Sequence, residues 1–302
     1  MLLYVLESKG SSPGRTGFFM AVNAMGQMSG SIGGGIMEHK FAEMAKDLLQ
    51  VEKGESPGLR KQVHDKASAV DQSGMICSGE QSIFLHRLQP ADADIIAGIL
   101  STLSENSHAS LRLTPRGIQI IDGLTKTGST FTRKEDGDWE YIERLGYRNQ
   151  LSIIGGGHCA LALSKLMQSM DFYIRLYDHR ADINSFRDNE WVHERILIED
   201  YDRLSTLLLE GEHHYVVIMT LGYRTDDQVI RAIRGKRFSY IGLLGSAFKT
   251  KKMMSDYEAA GLGDDWLRSI YAPAGIAIRS QTPEEIAVSI AAEIIRLKNI
   301  GA

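Results

Sequence analysis

LSIIGGGHCA, residues 151–160, decides the fold of this 302-residue chain. A short apolar run breaks into three glycines and then into an alanine-rich stretch, which reads as a buried strand, a tight turn and the start of a helix. Gly155, Gly157 and Ala160 fill the three small-residue positions of a dinucleotide-binding turn. The first permits the turn, the second lets backbone approach a phosphate, and the third lets helix pack close on strand. The helix N-terminus then offers free N–H groups and a partial positive charge to an anion, and His158 can contact the phosphate or cap the turn. Asp178, 21 residues after Gly157, closes the next expected strand. A carboxylate there accepts hydrogen bonds from a ribose diol and repels a 2′-phosphate, while Arg180 beside it reads as a solvated surface residue.

Working outward, expected strands at 151–154, 172–177, 195–198, 215–220 and 240–244 alternate with expected helices at 158–170, 202–210, 225–234 and 247–260. This alternation predicts a parallel sheet covered on both faces. Gly245 and Ser246 end a strand at another helix N-terminus, with Ser246 as N-cap and Lys249, Lys251 and Lys252 following. In a doubly wound sheet that strand end lies on the same rim as Gly155, and residues 220–223 and 272–275 reach it too. Thr282, Pro283 and Glu285 announce a closing helix by N-cap, first-turn proline and capping box, and Ile286, Ile290 and Ile294 give it an apolar stripe.

The first half has a different rhythm. Strands are expected at 2–6, 19–23 and 82–88, helices at 38–52 and 91–103, and a meander at 108–113, 118–122 and 139–145 with turns at 115–117 and 136–138. The chain therefore reads as α/β: a C-terminal Rossmann-like doubly wound parallel sheet, residues 149–302, preceded by an α+β N-terminal domain, residues 1–148. Composition agrees, with 43% hydrophobic and 24% charged residues. A net charge of −4 gives no basic face for nucleic acid, and no apolar run is long enough to span a bilayer. Two cysteines, Cys77 and Cys159, make no disulfide framework, so a reducing cytoplasm is expected. Cys159, in a first helical turn, reads as a small residue packing helix on sheet.

Two further loops carry chemistry. SIGGGIME, residues 31–38, brings Gly33, Gly34 and Gly35 into a helix whose first turn holds Glu38. Three adjacent glycines imply a close backbone approach, by a ligand or a packed strand, and Glu38 reads as a catalytic carboxylate or as an acid complementing the helix dipole. Cys77, in GMICSGE at 74–80, stands between small residues and is open to roles as nucleophile, metal ligand or sulfur acceptor.

Taken together, GSSPG (10–14), SIGGGIMEH (31–39), GMICSGEQSIFL (74–85), IIGGGH (153–158), YDHR (177–180), YIGLLGS (240–246), APAGI (272–276) and TPEEIAVSIAAEI (282–294) resemble the XdhC/CoxI family of xanthine dehydrogenase accessory factors. The resemblance implies a cofactor-insertion chaperone rather than an enzyme of metabolism. Its cargo would be molybdenum cofactor, as molybdopterin or its dinucleotide form. Its partners would be a molybdenum hydroxylase client and a cysteine-desulfurase-like sulfur donor. By that match Cys77 handles sulfur or touches molybdenum, Gly33, Gly34, Gly35 and Glu38 form the glycine loop and its acid, and Gly155, Gly157 and Asp178 the Rossmann-like turn. A homodimer is expected from symmetry. The chain departs from the family at residues 220–224, TLGYR, where many members carry histidine, and it starts almost on its first strand, which points to a truncated or misassigned start. The competing expectations are an NAD(P)-dependent oxidoreductase and a nucleotide sensor without chemistry.

Overall fold

The computed structural model describes residues 1–51, 58–63, 79–105, 109–123, 128–135 and 137–300. The chain divides into two compact units, Met1–Gly146 and Tyr147–Ala302. The fold is mixed α/β, with antiparallel sheets in the first unit and a parallel Rossmann sheet in the second.

In the first unit, β1 (Leu2–Gly10), β2 (Phe19–Val22), β3 (Met28–Gly30), β4 (Gly58–Val63) and β5 (Gly79–His86) form an antiparallel sheet in the order β3-β2-β1-β5-β4. The central strand β1 begins as an apolar run because both its faces are covered. Leu3 and Val5 pack with Met37, Phe41 and Ala45 of α1 (Gly35–Gln50). Tyr4 and Leu6 point the other way, into a cluster with Leu113, Trp139 and Tyr141 of a second antiparallel sheet. That sheet runs β7-β6-β9-β8, from β6 (Ala109–Thr114), β7 (Gly117–Asp122), β8 (Ser129–Arg133) and β9 (Trp139–Leu145). Ile95 and Ile99 of α2 (Ala93–Glu105) pack against the same cluster.

The second unit alternates strand and helix: β10 (Asn149–Ile154), α3 (His158–Met167), β11 (Phe172–Asp178), α4 (Asn184–Arg187), β12 (Glu194–Leu197), α5 (Leu204–Leu207), β13 (Gly211–Ile218), α6 (Tyr223–Ala232), β14 (Phe238–Leu243), α7 (Ala247–Ala259), α8 (Asp265–Arg268), β15 (Ile270–Tyr271) and α9 (Pro283–Ile300). All pairings are parallel, in the order β12-β11-β10-β13-β14-β15. Counted from β10, that is the 3-2-1-4-5-6 order of a dinucleotide-binding sheet, and the order reverses between β10 and β13. Leu151 and Ile153 face α3 and α9, whereas Ile154, Val216 and Ile218 face α6 and α7, so each side of the sheet has its own core.

The capping box of α9 forms: the Glu285 N–H donates to the Thr282 hydroxyl at 3.2 Å, and the Thr282 N–H donates to the Glu285 carboxylate at 3.3 Å. The expected helix at 202–210 does not. Asp200 caps a 3₁₀ turn at Tyr201–Arg203, one turn of helix follows at Leu204–Leu207, and the chain then extends into β13, already begun at Gly211. Leu204 and Leu208 are buried while Leu207 and Leu209 are exposed, so two buried anchors suffice and no long amphipathic face is needed.

Candidate functional site

Gly155 follows β10 at the point where the strand order reverses. Its φ is +106°, and a Cβ there would stand 2.3 Å from the Met219 carbonyl oxygen on the neighbouring strand's exit. The glycine is required by the turn and by the adjacent backbone together. Gly156 is pinned from both sides: its N–H donates to Asp178 at 2.6 Å, and its carbonyl accepts from the Ser185 hydroxyl at 2.6 Å. Gly157 differs. It is the N-cap of α3 at φ −76°, no side chain caps the helix, and nothing lies within 4 Å of a built Cβ. Among the described residues, then, the start of α3 carries no side-chain cap and has open space at its N-cap, an arrangement suited to an anion. Exposed His158 stands at the first helical residue. Burial and the Glu284 carboxylate push the Cys159 thiol pKa up, which fits a packing role and not an activated thiolate.

Asp178 is fully buried at the end of β11. Its Oδ1 accepts from the Arg180 N–H and Nε, each at 2.9 Å; its Oδ2 accepts from the Gly156 N–H at 2.6 Å and from Arg180 Nη2 at 2.7 Å. Arg180 is therefore not the solvated surface residue expected: the buried carboxylate draws its guanidinium back over the strand end. Burial alone would raise the Asp178 pKa, but the Arg180 guanidinium and the two N–H donors outweigh it and hold the carboxyl below its usual range. A depressed folded pKa contributes stability that is complete above the unfolded value and lost as pH falls through the folded one. Thermal midpoints measured across acidic pH should hold level above about pH 5 and fall below about pH 4, and Asp178→Asn should flatten that fall.

Further along the same rim, Ser246 caps α7 by accepting from the Lys249 N–H at 3.2 Å, and Gly245 precedes it. The Lys249 side chain turns inward. Its ammonium pairs with fully buried Asp226 and donates to the Leu244 carbonyl at 3.2 Å. The Thr220 hydroxyl donates to the other Asp226 oxygen at 2.5 Å. Sequence reading missed this Thr220–Asp226–Lys249 chain, because its members come from a strand exit and two different helices.

In the first unit the SIGGG loop is held by its own acid. Glu38 accepts from the Ser31 hydroxyl at 2.7 Å, the Ile32 N–H at 3.0 Å and the Gly34 N–H at 2.9 Å. Against the effect of burial, the Ser31 hydroxyl and these loop N–H groups keep its carboxyl below the ordinary range. Gly33, Gly34 and Gly35 all have positive φ, at 135°, 76° and 71°. Gln81 joins this loop to GSSPG, donating from Nε2 to the carbonyls of Gly14 at 3.0 Å and Ile32 at 3.2 Å. Beside them the Ser12 hydroxyl is buried, with no hydrogen-bond partner among the described residues. Cys77 lies outside the described residues. The second unit thus gathers Gly155, Gly157, His158 and Asp178 at one turn, with Gly245 and Ser246 two strands along, while Gly33, Gly34, Gly35 and Glu38 belong to the first unit. Among the described residues no cluster of three or more histidine, cysteine or acidic side chains is placed to hold a metal, and no helix is long and apolar enough to cross a membrane.

The chain is similar to known proteins along its whole length. It is 24% identical to the uncharacterized protein YqeB of Escherichia coli (strain K12), over 98% of this chain and 43% of that one. It is 29% identical to a probable xanthine dehydrogenase subunit of Bacillus subtilis (strain 168), over 52% of this chain and 46% of that one. The chain spans less than half the length of these two curated relatives. A solved structure from Bacillus halodurans, described as a xanthine dehydrogenase, superimposes with a TM-score of 0.73 over 99% of this chain and 91% of the other at 22% identity, which shows the shared fold. The XdhC and CoxI family profile matches residues 1–60, and the XdhC Rossmann domain profile matches residues 151–294. With one profile on each unit, the chain belongs to the XdhC/CoxI family.

Proposed function

We propose that this protein is an accessory factor for a molybdenum hydroxylase of the xanthine dehydrogenase type: it holds molybdenum cofactor as cargo, shelters it while a cysteine-desulfurase-like partner supplies the sulfido ligand, and passes it to the client. Family membership and the similarity to a probable xanthine dehydrogenase subunit support the client class. The observation that carries the cargo reading is the open position at Gly157 in front of the uncapped N-terminus of α3. Molybdopterin ends in a phosphate and its dinucleotide form contains a pyrophosphate, and N–H groups at such a helix start take either. Glu38 is held by its own loop, which keeps its carboxyl below the ordinary range, so in this reading it shapes the loop and does not shuttle protons. Cys77 is the residue we assign to sulfur handling or molybdenum contact, because a soft thiolate suits both. The protein works as a cytoplasmic homodimer in this reading.

The test is production in cells with and without active cofactor synthesis. Pterin and molybdenum should co-purify with the protein only in the first case, and Cys77→Ala should lower client activation while leaving the protein folded. Protein free of pterin under both conditions, with full client activation by the variant, overturns the proposal. The strand order also suits NAD(P), so turnover of an alcohol or aldehyde with either nucleotide would favour an oxidoreductase instead.

A further inference from the structure

In a dinucleotide-binding sheet, the acid closing the second strand selects the ligand through its ribose diol. Here that position is Asp178, yet its acceptor capacity is already used. A carboxylate offers about four lone-pair sites, and Asp178 meets four donors: the Gly156 N–H, the Arg180 N–H, and Arg180 Nε and Nη2. A ribose diol would need two of those sites. The two backbone donors are fixed, one in the glycine turn and one just past the end of β11, so only the guanidinium can be displaced, and displacement would leave a cation stripped of its buried partner. The neighbourhood reinforces the arrangement. The Arg180 side chain is 24% exposed, and the His179 Nδ1 lies 3.6 Å from Asp178 Oδ1 while hydrogen-bonded to the Tyr201 hydroxyl at 3.1 Å.

We infer that Asp178 and Arg180 form a latch that bars ribose diols, so that the Gly155 turn accepts a phosphate or pyrophosphate group and discriminates against NAD-type dinucleotides. Asp178 is then a positioning residue that holds Gly156 and the guanidinium, and Arg180 is the specificity determinant. The inference rests on the phosphate-cargo reading above and narrows it to ligands whose recognition at this turn needs no ribose diol, molybdopterin monophosphate among them.

Isothermal titration of the full chain with two probes, inorganic pyrophosphate and NAD⁺, tests the latch. Wild-type protein should bind pyrophosphate and bind NAD⁺ about tenfold more weakly or not at all; Arg180→Ala should strengthen NAD⁺ binding by about tenfold or more, since two charge-assisted hydrogen bonds become available. Arg180→Met, which keeps the apolar stem, reads the same effect if the alanine variant fails to fold. Adding Asp178→Asn to either variant should abolish the gain, which a merely structural role for Arg180 would not produce. NAD⁺ affinity unchanged within about twofold between wild type and the folded Arg180 variant overturns the latch while leaving the phosphate reading intact. A gain for NAD⁺ with no pyrophosphate binding in any form supports the latch and removes the phosphate reading instead.

Discussion

Gly155→Ala is expected to lower the thermal midpoint of the second unit by about 10 °C, equivalent to about 3–5 kcal/mol. Two costs add. The residue sits at φ +106°, where an L side chain is strained, and its new methyl would stand 2.3 Å from the Met219 carbonyl oxygen and 2.7 Å from the carbonyl carbon. Those atoms are backbone at the exit of β13, so relief requires moving a central strand. Gly157→Ala, two residues on, should stay within about 1 kcal/mol of wild type, because φ there is −76° and its Cβ would enter open space. That same methyl would occupy the approach to the α3 N–H groups. Scanning calorimetry with pyrophosphate titration should therefore separate the pair: one variant loses stability, the other loses ligand. Equal stability of the two would show that the turn has more room than its geometry indicates.

Lys249→Met should have the second largest effect, about 3 kcal/mol of destabilisation read from denaturant unfolding at neutral pH. Asp226 is fully buried, and without the ammonium its carboxylate keeps only the Thr220 hydroxyl and loses its countercharge. The figure sits at the low end of the range for broken buried pairs because the lysine side chain is 25% exposed and water reaches its stem. The double variant Lys249→Met with Asp226→Leu should recover much of the loss, since no orphaned charge remains. Additive losses in the cycle would mean that the two side chains act independently, against the geometry.

The turn at Gly155 could be read in advance because three demands on one short segment, chain reversal, phosphate approach and close helix packing, each require small residues. The Asp178–Arg180 pair could not. YDHR shows two charges two residues apart, and although Asp178 closes its strand as expected, nothing in that spacing tells that the guanidinium folds back over the strand end. Thr220, Asp226 and Lys249 were hidden for a related reason: charged residues at the starts of helices look solvated until the sheet brings two helices side by side. Edge strands were the other blind spot. β3 is exposed throughout and β4 reads GLRKQV, so neither has the apolar alternation that marks a strand with a buried face. β8, with its STFTR sequence, is likewise an edge strand and mostly polar.

Gln81 has a consequence for the order in which the first unit is made. Its amide ties carbonyls 67 and 49 residues earlier in the chain, and β5, which carries it, pairs directly with β1. The loops at 10–14 and 31–35 emerge from the ribosome long before the side chain that joins them. Until β5 arrives they lack their staple, so closure of this region is a late, non-local event, and such closures are slow. Chains stalled before Gln81 should leave both loops open to protease, and chains extended past β5 should protect both in a single step.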